Sequence, residues 1–351
     1  MIKIKVNTSK AYEVLIGENL IKDAGKLVKE KVAFAKICII TDDTVDALYG
    51  KKTVESFENE GFTVEKFVIP HGEQSKNAEN LIKIVSFLAE KSFNRSDIIV
   101  ALGGGVVGDL AGFCAATYMR GIKFVQMPTT LLAAVDSSVG GKTAVDLPQG
   151  KNLFGAFWQP SLVICDTDTL TTLSEEIYAD GIAEIIKYGM IYDKKLFDIV
   201  KSGSWDRNKV IARCVEIKRD VVNEDEFENG LRQILNFGHT FGHAVEALSK
   251  FELSHGHSVA IGMAMITYAL MEKGEASHNV YDELVKALIN NSLPINCQFD
   301  SESIYEKVIM DKKSKSDGIN LILVKEIGKA QIEKTDFNTI NELIKTGVKC
   351  K

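Results

Sequence analysis

The chain has no C-x-x-C pair among its six cysteines, no run of eighteen apolar residues, no internal repeat and no low-complexity tract. Cys38, Cys114, Cys165, Cys214, Cys297 and Cys350 mostly sit inside apolar runs, as small buried hydrophobes of a reducing compartment do. The N-terminal stretch MIKIKVNTSK lacks the apolar core of a secretion signal, so a cytoplasmic protein is expected. Positive charge is not in excess. The formal net charge is −6, which excludes a global basic field for nucleic acid. Histidine is scarce, with six in 351 residues, and four of these fall between 239 and 257. What is present, 45% hydrophobic and 26% charged residues, is ordinary for a globular protein, and the length suggests two domains.

The stretch from Asp97 to Asn152 organises the chain. Asp97–Leu102 is a short β-branched run, as a buried parallel strand would be. It ends in Gly103, Gly104 and Gly105, with Gly108 beyond, and Val106 to Tyr118 reads as a buried helix. Glycines where a strand hands over to a helix let backbone N–H groups approach an anion at the helix N-terminus. Gly103 to Gly108 fits G-x-G-x-x-G in the strand-then-helix setting that the motif requires. A second strand, Lys123–Met127, closes in Pro128-Thr129-Thr130. Then Asp136-Ser137-Ser138, Gly140-Gly141-Lys142 and Gly150-Lys151-Asn152 place small, polar and cationic residues in loops beside apolar elements. That pattern reads as a phosphate-binding site.

Upstream, Ile2–Val6 and Tyr12–Ile16 read as a hairpin, and Ala35–Thr41 as a strand ending in Asp42-Asp43. Asp42 stands where an α/β sheet places a ribose ligand, and equally where a helix N-cap would stand. After Thr63–Ile69, Glu73 and Lys76 open the next helix. They are either first-turn charges or contacts to a ribose and a phosphate. Strands alternating with helices imply a parallel sheet. The glycine loop is not on the first strand, so the arrangement is Rossmann-like without being a standard Rossmann fold. Beyond a last strand, Leu162–Asp166, the pattern turns helical: Glu175–Lys201, Trp205–Asn223, Glu228–Ser249, His255–Lys273 and Asn279–Ile289. A hairpin near 319–333 and a helix near 338–346 follow. The expected division is an α/β domain, 1–173, and a mainly helical domain, 174–351.

His239 and His243 stand at i and i+4 on one helical face, and His255-Gly256-His257 follows. Glu184 and Lys187 lie one turn apart in an apolar helix, where a carboxylate needs a partner. Glu184 with two histidines makes a two-nitrogen, one-oxygen set with an open position, the pattern of a catalytic Zn²⁺ site. Spacing does not choose among His239, His243, His255 and His257, although helix geometry favours the first two. Arg232, Asn236, His239 and His243 share one face of the expected helix Glu228–Ser249, as recognition of a phosphate or carboxylate beside a metal would need.

The segments GGGVVGDLAGF, YMRG, PTTLLAAVDSSVGGKTAVDLPQGKN, GIAEIIKYG, LNFGHTFGHAVE and HGHSVAIGM closely resemble those of the 3-dehydroquinate synthases. The resemblance runs end to end. It implies an N-terminal α/β NAD⁺-binding domain, a helical C-terminal domain and a homodimer. It implies a lyase of the shikimate pathway to chorismate and aromatic amino acids, using NAD and Zn²⁺ or Co²⁺. Its metal ligands would be Glu184, His239 and His255. Contacts to NAD would come from Asp42, Glu73, Lys76, Gly104, Gly105, Asp109, Thr129, Thr130, Lys142, Lys151, Thr169, Thr172 and Leu173. Contacts to substrate would come from Asp136, Lys142, Asn152, Lys187, Lys218, Glu228, Arg232, Asn236, His243, Lys312 and Lys313. Arg120 would reach the neighbouring subunit's substrate. The catalytic set would be His243, Lys142, Lys187 and Asn152.

The chain departs from the family in two places: Ile177, where an acidic residue is usual, with Glu176 one step earlier, and Thr44, where some relatives have Asn. His257 stands where many relatives have Glu and receives no role. The implied reaction takes 3-deoxy-D-arabino-heptulosonate 7-phosphate to 3-dehydroquinate and phosphate. It runs by transient oxidation at C5, phosphate elimination, re-reduction, ring opening and aldol closure. The alternatives are a related sugar phosphate cyclase, a metal-dependent polyol phosphate dehydrogenase, and a nucleotide-binding module without catalysis.

Overall fold

The structure is a computed structural model that describes residues 1–32, 36–250, 252–310 and 318–351; Ala35, Lys312 and Lys313 lie outside the described residues. The chain forms two compact units. The first comprises Met1–Leu173 and Arg207–Phe227, the second Ser174–Asp206 and Glu228–Lys351. The helix Arg207–Glu224, which the sequence reading puts in the second domain, therefore belongs to the first unit. Its polar residues hold it there. Asn223 accepts the Asn7 amide at 2.9 Å, and Asn208 accepts the Thr167 hydroxyl at 2.7 Å.

The strands of the first unit are β1 (Ile2–Val6), β2 (Tyr12–Gly17), β3 (Lys36–Asp42), β4 (Thr63–Ile69), β5 (Ile98–Gly103), β6 (Lys123–Pro128), β7 (Lys142–Leu147), β8 (Gly150–Phe157) and β9 (Leu162–Asp166). Seven of them form one sheet in the order β1-β2-β9-β6-β5-β3-β4. Only the β1–β2 pair is antiparallel in it. Strands β5 and β9 are buried along their whole length, as parallel strands covered on both faces must be. Period-2 alternation divides their side chains between two cores. Cys38, Ile40, Ile99 and Ala101 pack on one side with Leu110 and Phe124, while Ile37, Ile39, Ile98 and Val100 pack on the other with Phe57 and Val125.

Gly103 of β5 pairs with Pro128 of β6, so the glycine loop and Thr129-Thr130 leave the sheet from adjacent strand ends. The segment carrying Lys142, Lys151 and Asn152, expected as loops, is the antiparallel hairpin β7–β8. The Phe154 ring anchors it edge-on to Phe113, with centroids 4.8 Å apart.

In the second unit the expected helix Glu175–Lys201 is two helices, Glu175–Ile191 and Lys194–Lys201. Asp193 restarts the second by accepting the amides of Lys195 and Leu196. The expected helix Glu228–Ser249 is also broken. A 3₁₀ turn, Leu231–Asn236, ends at Phe237, and the helix begins at His239 after Gly238 at φ 77°. The reason is packing. A Cβ on Gly238 would lie 2.4 Å from Met263 Cγ and 2.9 Å from the Val259 carbonyl oxygen, so the chain must turn in the left-handed region against the next helix. That helix, His255–Glu272, is followed by His278–Asn290, Ser301–Met310, the hairpin β10 (Gly318–Glu326) and β11 (Lys329–Asp336), and Phe337–Gly347. The helix Ser301–Met310 has no counterpart in the sequence reading. Among the described residues no helix is long and apolar enough to cross a membrane.

Candidate nucleotide cradle and metal centre

The first unit gathers its candidate residues at the C-terminal ends of β3, β5 and β6 and on the β7–β8 hairpin. Gly104 is the N-cap of the helix Gly105–Thr117, in extended backbone, and a Cβ there would press on Thr130 Cγ2 at 3.0 Å. Beside it the Thr129 hydroxyl is buried with no hydrogen-bond partner, although a buried hydroxyl ordinarily has one. A helix N-terminus, a glycine without a side chain and an orphan hydroxyl fit an anionic ligand such as a dinucleotide's phosphates. Asp42 accepts the Val45 amide at 2.9 Å, so its N-cap role is realised.

Lys76 is buried and sits among Glu73 (3.1 Å), Asp109 (3.4 Å), Asp146 (3.9 Å) and the Asn152 side-chain oxygen Oδ1 (2.8 Å). Lys151 meets Glu73 at 3.2 Å. Burial opposes the Lys76 charge, but the surrounding carboxylates outweigh it and hold the amine charged well above its usual range. Burial pushes the Asp109 carboxyl up to about 6 even though Lys76 pulls the other way. Asp146 is a residue that the sequence reading missed. Its carboxylate accepts the Asn152 amide at 2.8 Å and so holds Asn152 at φ 57°. Its signal was faint: one acid between β-branched residues and a turn.

The other first-unit candidates fall in three places. Lys218 meets both the Asp136 carboxylate (2.9 Å) and its carbonyl (2.7 Å). Thr169 is buried, and Tyr49 OH binds its carbonyl and the Thr172 hydroxyl, with Leu173 next in the chain. Lys142 and Arg120 are exposed, Arg120 at φ 66°. Thr44 is also exposed, beside Asp43.

The second unit builds its centre from three helices. Glu184 is 1% exposed, and its Oε2 pairs with Lys187 one turn on. Its Oε1 faces two imidazoles, His239 Nε2 at 3.6 Å and His255 Nε2 at 3.4 Å. Donors about 2.0–2.1 Å from a tetrahedral zinc lie about 3.3 Å apart, so these spacings are the edges of such a site. The ring nitrogens of His239, His243 and His255 also lie within 4.8 Å of one another. The His239 ring lies 5.2 Å from the rings of both His243 and His255, so ring spacing does not separate them; Glu184 Oε1 faces His239 and His255, and the exposed His243 stands beside that pair.

Electrostatics agree with a cation site. Burial and the Lys187 charge drive the His239 imidazole far below its usual range. Burial also opposes protonation of His255, but hydrogen bonds to Glu184 and Glu246 overcome it and raise that ring to about 10. A centre that draws a proton onto a half-buried imidazole to balance carboxylates is one where a divalent ion would displace that proton. Glu246 was not anticipated. It is buried seven residues after His239, with Oε2 3.6 Å from His255 Nδ1, where it orients the ring. A glutamate in the apolar turn after His243 was its signal.

Arg232 is buried on the 3₁₀ turn, and Asn236 donates to Glu228 at 3.0 Å. The break at Phe237-Gly238 means that Arg232 and Asn236 do not continue the His239 helix face as expected. Ile177 is 45% exposed, and Glu176 is exposed beside it.

A seven-stranded α/β unit with a glycine turn, followed by a helical unit with a carboxylate–imidazole cluster, is a fold class also found in solved synthases and dehydrogenases. A 2-deoxy-scyllo-inosose synthase solved with carbaglucose-6-phosphate, NAD⁺ and Co²⁺ superposes with a TM-score of 0.87 at 25% identity, covering 98% of this chain and 99% of that one. The 2-epi-5-epi-valiolone synthase of Streptomyces hygroscopicus shares the fold with a TM-score of 0.89 at 24% identity, each chain covered to 98%. A glycerol dehydrogenase from Schizosaccharomyces pombe reaches only 0.64 at 15% identity, covering 95% of this chain and 88% of that one.

Within this class, the profiles of the 3-dehydroquinate synthase N-terminal and C-terminal domains match residues 66–180 and 181–314. The 3-dehydroquinate synthase of Clostridium acetobutylicum is 46% identical over 334 residues, 93% of this chain and 94% of that one. That of Streptococcus mutans is 41% identical over 352 residues, 97% of this chain and 99% of that one. The chain belongs to the 3-dehydroquinate synthase family.

Proposed function

We propose that the chain converts 3-deoxy-D-arabino-heptulosonate 7-phosphate to 3-dehydroquinate and phosphate. The observation that carries this, within the family, is Glu184 Oε1 set 3.6 and 3.4 Å from the Nε2 atoms of His239 and His255. These three residues would hold a divalent metal, Zn²⁺ or Co²⁺. Gly104, Gly105, Thr129, Thr130, Lys76 and Lys151 would hold NAD⁺, with Asp42, Glu73, Asp109, Lys142, Thr169, Thr172 and Leu173 completing its contacts. When bound, NAD⁺ supplies a hydride acceptor that is regenerated each turnover, and the metal supplies a Lewis acid for a substrate alkoxide.

The chain's own residues do the rest of the work. Lys187 and Arg232 are buried cations and bind the substrate's anionic groups. Asn236 is aimed by Glu228 and offers a neutral hydrogen-bonding group. His243 flanks the metal set, is exposed, and relays a hydroxyl proton. The roles of Asp136, Lys142, Asn152 and Lys218 as substrate contacts belong to the same proposal. So do the cytoplasmic location, the homodimer and the reach of Arg120 into a neighbouring subunit.

The test is phosphate release from the heptulosonate phosphate, with and without NAD⁺ and a chelator, while NADH absorbance is followed. Release that requires NAD⁺ and metal, with no NADH accumulating, is the expected result. NADH accumulating from a polyol phosphate without phosphate release would assign the chain to the dehydrogenases instead. Release from glucose 6-phosphate or sedoheptulose 7-phosphate in place of the heptulosonate would assign it to another cyclase.

A further inference from the structure

His257, the second histidine of His255-Gly256-His257, takes no part in the donor set, yet it sits at a dense junction. Asp180 Oδ1 accepts from the Ser254 hydroxyl at 2.5 Å, from the His257 amide at 3.1 Å and from His257 Nδ1 at 2.8 Å. Ser254 is the N-cap of the helix His255–Glu272, but its hydroxyl makes no capping bond to that helix. The capping bond to the third helical amide, which an N-cap side chain normally supplies, comes instead from Asp180 on the helix Glu175–Ile191. A carboxylate at that end also suits the helix dipole. Gly256 makes the approach feasible, because a Cβ there would lie 2.4 Å from both Asp180 Cα and the Asp180 carbonyl oxygen.

A serine, a histidine and an aspartate in contact invite comparison with a nucleophile triad. The geometry excludes it. Ser254 Oγ (2.8 Å) and Asp180 Oδ1 (2.8 Å) face the same ring nitrogen, so the imidazole has no second nitrogen engaged to pass a proton between them.

Asp180 lies one turn before Glu184 on the same helix face, and His255 directly follows Ser254. The junction therefore ties the helix end that carries His255 to the turn that carries Glu184. We infer that Asp180, with Ser254 and His257, is a positioning clamp that sets His255 Nε2 against Glu184 Oε1 and so fixes the affinity and geometry of the metal centre. This rests on the metal centre proposed above. His255 thus has two supports: Glu246 on its ring, and Asp180 holding the flanking Ser254 hydroxyl and His257 amide.

The test is chelator-competition titration with Co²⁺, together with the visible ligand-field spectrum of the cobalt-loaded proteins. Asp180→Ala is expected to weaken Co²⁺ binding roughly 10- to 100-fold and to shift the spectrum. Asp180→Asn keeps an Oδ1 that accepts from Ser254 and from the His257 amide, and is expected to stay within a few-fold of the parent with the parent's spectrum. Asp180→Ala with the parent's affinity and spectrum would overturn the clamp. If that variant does not fold by circular dichroism, Ser254→Ala, which removes a single donor, decides: several-fold weaker binding supports the clamp and parent-like binding overturns it. Glu184→Ala separates the two readings. Cobalt lost in Glu184→Ala but unchanged in Asp180→Ala removes the clamp alone, whereas cobalt unchanged in Glu184→Ala removes the metal centre with it.

Discussion

The two units build their sites by different routes. In the first, the proposed cofactor contacts sit where parallel strands end, and much of the proposed recognition is backbone: Gly103 to Gly105, the helix N-terminus behind them, and Thr129-Thr130 one strand over. In the second, every group is a side chain, drawn from a 3₁₀ turn and two helices that follow one another in the chain and from the separate helix Glu175–Ile191. A strand-end site is local, because the chain that makes the strand also makes the loop. A helix-borne centre is only as good as the packing between helices, which depends here on Gly238, Gly242, Gly256 and Gly262. A Cβ on Gly262 would meet the Gly238 carbonyl oxygen at 2.0 Å.

Four variants test this contrast, from the largest expected effect to the smallest. Glu184→Ala removes one donor and strands Lys187 in the core. Phosphate release and bound metal should disappear together, with affinity down by at least about a hundredfold in chelator competition. Activity with a full complement of metal would defeat the assignment. Lys76→Ala removes the cation from among Glu73, Asp109 and Asp146, and uncompensated buried charge costs roughly 3–5 kcal/mol. Thermal unfolding should show that loss in the first unit, while metal titration of the folded variant should match the parent.

Gly104→Ala puts a methyl group 3.0 Å from Thr130 Cγ2 at the mouth of the cradle. NAD⁺ affinity measured by calorimetry should fall about tenfold, the equivalent of one hydrogen bond to a charged group, and metal affinity should not move. Equal losses of both would mean that the two sites are not independent in design.

The smallest effect is a pH slope. Asp109 is raised in the folded protein from 3.8 to about 6. The folded state therefore holds this proton more tightly than the unfolded chain does, and its contribution to stability falls as pH rises from about 4 to about 6. Asp109→Asn should flatten that part of the Tm–pH curve, and an unchanged slope would place the titration elsewhere.

The sequence was most readable where structure is local. The hairpin Ile2–Val6 with Tyr12–Gly17, the buried run Leu162–Asp166 and the glycine turn all follow from short-range pattern. Its errors have different causes. The helices read as continuous over Glu175–Lys201 and Glu228–Ser249 are broken at Tyr192-Asp193, where Asp193 caps a new helix, and at Phe237-Gly238, where Gly238 packs against the next helix. The β7–β8 hairpin was hidden because its outer strand faces solvent and carries little alternation. The i, i+4 spacing that favoured His239 with His243 does bring those two imidazoles together; what spacing within one helix could not show is that His255 and Glu184, from two other helices, join them.

By itself the sequence determined the parallel sheet with its glycine turn between strand and helix, the helical second half, the family and the kinds of donor atom available. Those depend on residue type and on spacings of a few residues. Only the tertiary structure decided which imidazoles share a carboxylate, that Glu246 and Asp180 stand behind His255, and that Asp146 holds Asn152. Each of these is a contact that no local periodicity encodes, and the one at Asp180 depends on Gly256, which lets the two helices approach within the reach of a side chain.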